Sequence, residues 1–233
     1  VFRVILALAG IALIPCTVGA ESPGQPSLDE VLARFDEVQL GVTTLSAQFT
    51  ETTVNELLKE PMVARGRFYM TKPDSVMWEY TSPETMQFVI AKDEYVGYFP
   101  ARKRAERRNI QRWREQIFRF FGLGQVSSEL KKFYEIRLEE PGPEMQGVYE
   151  LVLDPRKRRV KKRMESVRFW VDRDTFLPVK VEYRDQKGNT RVVQFHKMKV
   201  NPDLSVGLYN LSLPSDVTVT TGFGGIQGLG STQ

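Results

Sequence analysis

Polar and apolar positions change period along the chain, and the changes mark out its elements. Ser27-Leu28-Asp29-Glu30 reads as a capping box, and Leu28, Val31, Leu32, Phe35 and Val38 then recur at helical spacing. The pattern predicts one amphipathic helix that stops or kinks at Gly41. Leu45 and Phe49 follow in TLSAQFTETTV, a segment that turns β-like through its Thr residues and Val54. From Ala64 the period is two. Ala64, Gly66, Phe68 and Met70 share one face, and Arg65, Arg67 and Tyr69 the other. A turn at Pro73-Asp74 leads to Val76, Trp78 and Tyr80, which alternate with Met77 and Glu79 until Pro83. Gln87 to Ala91 and Glu94 to Phe99 form two short apolar strands around Lys92-Asp93.

Helical spacing returns in Ile110, Trp113, Ile117, Phe120 and Phe121, with Gly122 as a natural C-cap. Ser127 or Ser128 caps a second short helix through Phe133. Alternation then resumes over Tyr134–Leu138, Tyr149–Leu153, Val167–Val171 and Val179–Tyr183. A hairpin loop at Asp185–Asn189 precedes a long strand, Thr190 to Val200, and a last strand spans Tyr209 to Leu213, ending at Pro214. Turns this short exclude crossover helices, so the sheet is antiparallel. The expected object has roughly ten strands. It is mainly β with some α, one strongly curved sheet with helices against its concave face.

The N-terminus is read as an address. Arg3 is followed by a wholly apolar run from Val4 to Ile14, broken only by Gly10, and then by Val18-Gly19-Ala20. A core of about 11 residues is short of the roughly 20 that span a bilayer, which predicts a cleaved secretory signal peptide over 1–20. An uncleaved anchor and lipidation of Cys16 are the alternatives, although Pro15 is a poor residue directly before such a cysteine. A linker over 21–26, one domain over 27–220 and a mobile glycine-rich tail over 221–233 complete the expected organisation. No later stretch reaches transmembrane length, so the mature protein is expected to be soluble.

Composition narrows the chemistry. One cysteine excludes a disulfide framework and any cysteine-rich zinc site, and a single histidine disfavours a histidine metal centre. His196 lies mid-strand, no G-x-S-x-G motif is present, and Gly222-Phe223-Gly224-Gly225 is no phosphate loop. No catalytic residue, metal or cofactor is predicted. The formal charge of +4 is too small to imply nucleic acid. The charge is nevertheless clustered: RKRAERR at 102–108, and RKRRVKKR at 156–163, a hairpin tip with seven cations in eight positions. Anionic lipid headgroups or an acidic partner suit Arg158, Arg159, Lys161 and Lys162 better than nucleic acid does, and a simple solvated loop is the other reading. The central insert has more apolar bulk than one helical stripe needs, and a concave sheet under an apolar lid can enclose a lipid or simply form an ordinary packed core.

Three groups of residues resemble the LolA-type periplasmic lipoprotein carriers. They are Thr44-Leu45-Ser46-Ala47-Gln48-Phe49-Thr50-Glu51; then Gly66-Arg67-Phe68-Tyr69-Met70 with Lys72-Pro73, Met77-Trp78-Glu79-Tyr80 and Pro83; then Pro178-Val179-Lys180-Val181 with Asp185, Gly188-Asn189-Thr190, Phe195, Asn201 and Leu213-Pro214. The resemblance implies an unclosed antiparallel β-barrel with a helical lid over an apolar cavity. It implies a periplasmic, non-enzymatic carrier, expected to be a monomer. Such a carrier binds acyl chains of lipoproteins, takes them from an inner-membrane ABC-type release complex and passes them to an outer-membrane receptor. A carrier or sensor for another lipid, working with a membrane partner, is the alternative task. On this reading Phe68, Val76 and Trp78 line the cavity, Trp113, Ile117 and Phe120 belong to the lid, and Lys72 contacts the lid. The family often has Arg where Lys72 stands. Lys keeps the charge and loses the planar fork.

Overall fold

The computed structural model describes residues 26–56, 59–112 and 126–221. Its first element is the helix α1 (Leu28–Gly41). The Ser27 hydroxyl accepts from the Glu30 amide, and the Glu30 side chain accepts from the Ser27 amide, which completes the expected capping box. Val31, Leu32 and Phe35 are the buried stripe of α1, and each stabilises the packed state by about 1.5–3 kcal/mol.

Twelve strands form one sheet. They are β1 (Thr44–Val54), β2 (Met62–Thr71), β3 (Ser75–Ser82), β4 (Met86–Ala91), β5 (Glu94–Phe99), β6 (Arg104–Asn109), β7 (Tyr134–Glu139), β8 (Val148–Pro155), β9 (Met164–Asp172), β10 (Pro178–Asp185), β11 (Thr190–Val200) and β12 (Thr218–Thr221). The order is β12-β6-β5-β4-β3-β2-β1-β11-β10-β9-β8-β7. Every pair is antiparallel except β6 with β12, and β7 and β12 are the two edges of an unclosed sheet. Two short helices, α2 (Ser127–Lys131) and α3 (Arg158–Lys161), sit before β7 and between β8 and β9.

Two elements differ from expectation. Part of the basic run at 102–108 becomes β6. The turn Pro100–Arg102 and a left-handed Lys103 (φ 46°) reverse the chain, so Ala105 points inward while Arg104 and Arg107 stay exposed. The strand expected over Tyr209–Leu213 does not form. Val206–Tyr209 is a 3₁₀ turn lying against β3 and β4, and its Tyr209 hydroxyl bonds Thr71 Oγ1 at 2.8 Å. The final strand, β12, forms beyond Pro214 and takes in Thr221, where the mobile tail was expected to begin. The expected signal peptide, Cys16, most of the linker and the tail beyond Thr221 lie outside the described residues.

Register divides the strand ends into two rims. Val54 faces Thr190, Arg65 faces Ser82, Phe99 faces Arg104, Asp185 faces Met164 and Tyr134 faces Pro155 along the first. The second holds the end of α1 and the turns at 72–74, 92–93, 140–147 and 173–177. This second rim is tied to the helix. Asn201 Oδ1 accepts from the Thr43 amide at 2.7 Å, and its Nδ2 donates to the Gly41 carbonyl at 2.9 Å.

Candidate functional site

The concave face is built by strand parity. Leu45, Ala47 and Phe49 on β1, Ala64, Phe68 and Met70 on β2, and Val76, Trp78 and Tyr80 on β3 point the same way and join α1 in one core. Phe68 pairs directly with Trp78 across β2 and β3, and their ring centroids are 4.7 Å apart. Trp78 also meets Phe49 edge-on at 4.8 Å and Phe195 at 6.0 Å. Tyr80, Phe88 and Phe99 extend the aromatic wall toward β5. Such contacts add about 0.5–1.5 kcal/mol per pair beyond area burial.

Gly66 lets this wall close up. A Cβ there would lie 2.0 Å from the Glu79 carbonyl oxygen and 2.7 Å from the Phe49 ring. The register between β2 and β3 slips at Arg65 and Gly66, and the Glu79 carbonyl occupies the space that a side chain at Gly66 would need.

The three expected cavity residues, Phe68, Val76 and Trp78, therefore share one buried wall. Lys72 sits at the second rim, where its Nζ donates to the Gln39 carbonyl at 2.5 Å. The last turn of α1 contains no basic residue, and the Lys72 ammonium stands in for one at the helix C-terminus. Burial holds its pKa below the ordinary lysine value. Trp113, Ile117 and Phe120 lie outside the described residues. The flanks of that insert are anchored. Ile110 is fully buried, and Ser127 donates to Asp36 of α1 through its amide (2.5 Å) and its hydroxyl (2.6 Å).

One polar cluster on this wall was not anticipated. Arg191 Nη2 donates to Glu51 Oε2 at 2.7 Å and to the Tyr80 hydroxyl at 3.1 Å, and Tyr80 donates to the same carboxylate oxygen at 2.8 Å. Burial lowers the guanidinium pKa, but the Glu51 charge and Tyr80 outweigh it and hold Arg191 above the ordinary range. Burial, reinforced by Glu51, pushes the Tyr80 phenol well above its usual value. A signal was present in the sequence: Glu51 shares the parity of Leu45 and Phe49, and Arg191 that of Val193 and Phe195.

Arg158, Arg159, Lys161 and Lys162 do sit on a hairpin tip, all exposed, with α3 at its centre. His196 is exposed on β11. Among the described residues, no three His, Cys, Asp or Glu side chains converge as metal ligands, and no helix is long and apolar enough to cross a membrane. A surface cleft of about 440 Å³ lies on the far side of β4 and β5, lined by Val89, Lys92, Asp93, Asn109, Tyr209 and Asn210.

A family model described as outer membrane lipoprotein carrier protein LolA matches residues 40–212. The chain is 24% identical over 230 residues to an outer-membrane lipoprotein carrier protein of Alkalilimnicola ehrlichii, covering 96% of each chain. A crystal structure of an uncharacterized conserved protein from Thermus thermophilus is similar in fold. Its TM-score is 0.52 at 17% identity, covering 83% of this chain and 98% of that one. A LolA superfamily protein from Nitrosomonas europaea aligns with TM-score 0.42 at 13% identity, over 80% and 99% of the two chains.

Proposed function

The chain belongs to the LolA family of outer membrane lipoprotein carrier proteins, and from that premise we propose that it carries lipoproteins by shielding their acyl chains, without covalent chemistry. The carrier works in the periplasm. It receives cargo from an inner-membrane ABC-type complex and hands it to an outer-membrane receptor.

The observation that supports this reading is the aromatic wall of Phe49, Phe68, Trp78 and Phe195 inside a sheet whose two edges do not meet. Burying a methylene is worth about 0.8 kcal/mol, so a chain of about 16 carbons is worth roughly 12 kcal/mol. A triacylated protein leaves a membrane only if a carrier offers comparable burial. On this proposal Phe68, Val76 and Trp78 form the acyl-binding wall, and Lys72 secures the closed state from the second rim.

Native mass spectrometry of the protein released gently from its own cell envelope tests the proposal. An adduct with the mass of a lipoprotein or its acylated N-terminal peptide is expected. A bound phospholipid or other lipid in its place would reassign the protein as a carrier or sensor for that lipid.

A further inference from the structure

The basic run at 156–163 and the start of the other, Arg102–Arg104, about fifty residues apart in sequence, fall on the same rim of the sheet, while Arg107 and Arg108 lie farther along β6 toward the second rim. Register fixes this placement. The β8–β9 tip with α3, the β10–β11 turn, the β1–β2 tip, the β3–β4 turn and the β5–β6 turn all lie at one end of their strands. Direct contacts join them. Gln186 Nε2 donates to the Met164 carbonyl at 3.5 Å, Asn189 Oδ1 accepts from the Glu56 amide at 3.1 Å, and Arg102 pairs with Glu84 at 3.2 Å.

This rim is basic and also carries bare aliphatic side chains. All residues from Arg156 to Arg163 are exposed, as are Arg102, Lys103 and Arg104. Among them stand Val160, 37% exposed in the middle of α3, and Val54, Met62 and Val63 at the β1–β2 tip, exposed by 42%, 49% and 39%. The opposite rim is of mixed charge: Asp74, Asp93, Glu94, Glu140, Glu144 and Asp174 stand at its turns beside Lys72, Lys92, Arg173 and Lys199. The excess of cations is therefore concentrated at the first rim. The Glu51–Arg191–Tyr80 cluster lies just inside the basic rim, because Val54 pairs with Thr190 one step beyond the Thr53–Arg191 pair.

We propose that the basic rim is a docking surface for an anionic lipid bilayer, with Val54, Met62 and Val63 entering the interfacial region and the second rim held away. An acidic protein surface would satisfy the cations but leaves the aliphatic tips unexplained. A bilayer interface satisfies both, since cations meet headgroups while Val54, Met62 and Val63 leave water. The inference deepens the carrier reading and rests on it, because a carrier of acyl chains must collect them from a membrane.

Cosedimentation of the full chain with vesicles tests it. Wild-type protein should bind vesicles of phosphatidylglycerol and phosphatidylcholine, ignore pure phosphatidylcholine, and lose binding as salt rises toward about 0.5 M. Reversing charge at Arg158, Arg159, Lys161 and Lys162 together should weaken binding at least about 100-fold. Met62→Asp with Val63→Asp should weaken it about tenfold without moving the melting temperature, since both side chains are exposed. Lys92→Glu with Lys199→Glu, on the other rim, should leave it unchanged. Wild-type protein without preference for phosphatidylglycerol overturns the proposal, as does binding unmoved by either rim variant. Charge-dependent capture of an acidic protein with no vesicle binding would also overturn it. Affinity for a fluorescent fatty acid, read in parallel, separates the two ideas. Its persistence in the rim variants leaves the carrier reading intact, and its absence in the wild type sinks that reading alone.

Discussion

Arg191 on β11 and Glu51 on β1 pair at 2.7 Å inside a wall otherwise made of aromatic and aliphatic side chains. Glu51 is buried and Arg191 half-buried, and such a pair adds little net stability, because desolvation of both ions offsets their attraction. Removing one partner is another matter, since it strands the other charge. Glu51→Ala is expected to destabilise by about 3 kcal/mol, a fall of roughly 10 °C in Tm. Glu51→Leu combined with Arg191→Met should recover most of that loss. Thermal denaturation of the two variants side by side checks the asymmetry, and equal losses would mean that the pair stabilises the fold outright.

Tyr80 gives the same cluster a signature in alkali. Its folded phenol titrates well above the ordinary value of 10.0, whereas the unfolded phenol ionises near it. Above pH 10 the folded state therefore binds more protons than the unfolded state, and stability falls as pH rises. Tyr80→Phe removes that contribution together with the hydrogen bond to Glu51. At neutral pH the variant should be less stable by about 1–2 kcal/mol. Above pH 10 the deficit should shrink by about 1.4 kcal/mol per pH unit. Urea denaturation across pH 7 to about 11 measures the gap, and a constant gap would show that the phenol titrates normally.

Much of this architecture is legible in the chain because each β segment has one apolar parity. Ala64, Gly66, Phe68 and Met70 announce an inward face, and the structure buries all four. Parity also contained the Glu51–Arg191 pair, but opposite charges on two segments far apart in sequence reveal a partnership only when β1 and β11 are known to be neighbours. The outer face was less readable. Met77, Val89 and Val96 are buried although they lie on the parity opposite the main core. The 3₁₀ turn at Val206–Tyr209 packs on β3 and β4 from that side, and nothing local to those strands foretells it. The basic rim was half visible. Each run was evident, but the meeting of 156–163 with Arg102–Arg104 depends on the alternation of strand direction.

Gly66 offers a test of close strand approach. Adding a methyl there sets a Cβ against a backbone carbonyl, which cannot swing aside as a side chain can. Gly66→Ala should cost about 3 kcal/mol, at the upper end of overpacking effects. Part of that loss should return when Phe49→Leu relieves the ring contact. A melting temperature within a degree or two of wild type would show that β3 yields easily.

Val76→Glu separates a lipid-binding wall from an ordinary packed core. Val76 is 2% exposed and pairs with Met70 on one side and Ile90 on the other, both buried on the same face as Trp78. In a permanently dry core the new carboxylate would have neither water nor a partner, and the loss would reach several kcal/mol. An interior that opens to exchange acyl chains admits water when empty, so the carrier reading expects a smaller penalty, about 2 kcal/mol or less. The acyl chain then meets a charge it cannot solvate, and affinity for a fluorescent fatty acid should fall at least about tenfold. Circular dichroism melting beside the binding assay reads both quantities. A variant that fails to fold would return Val76 to a packed core, and a folded variant with wild-type affinity would remove β3 from the acyl-binding wall.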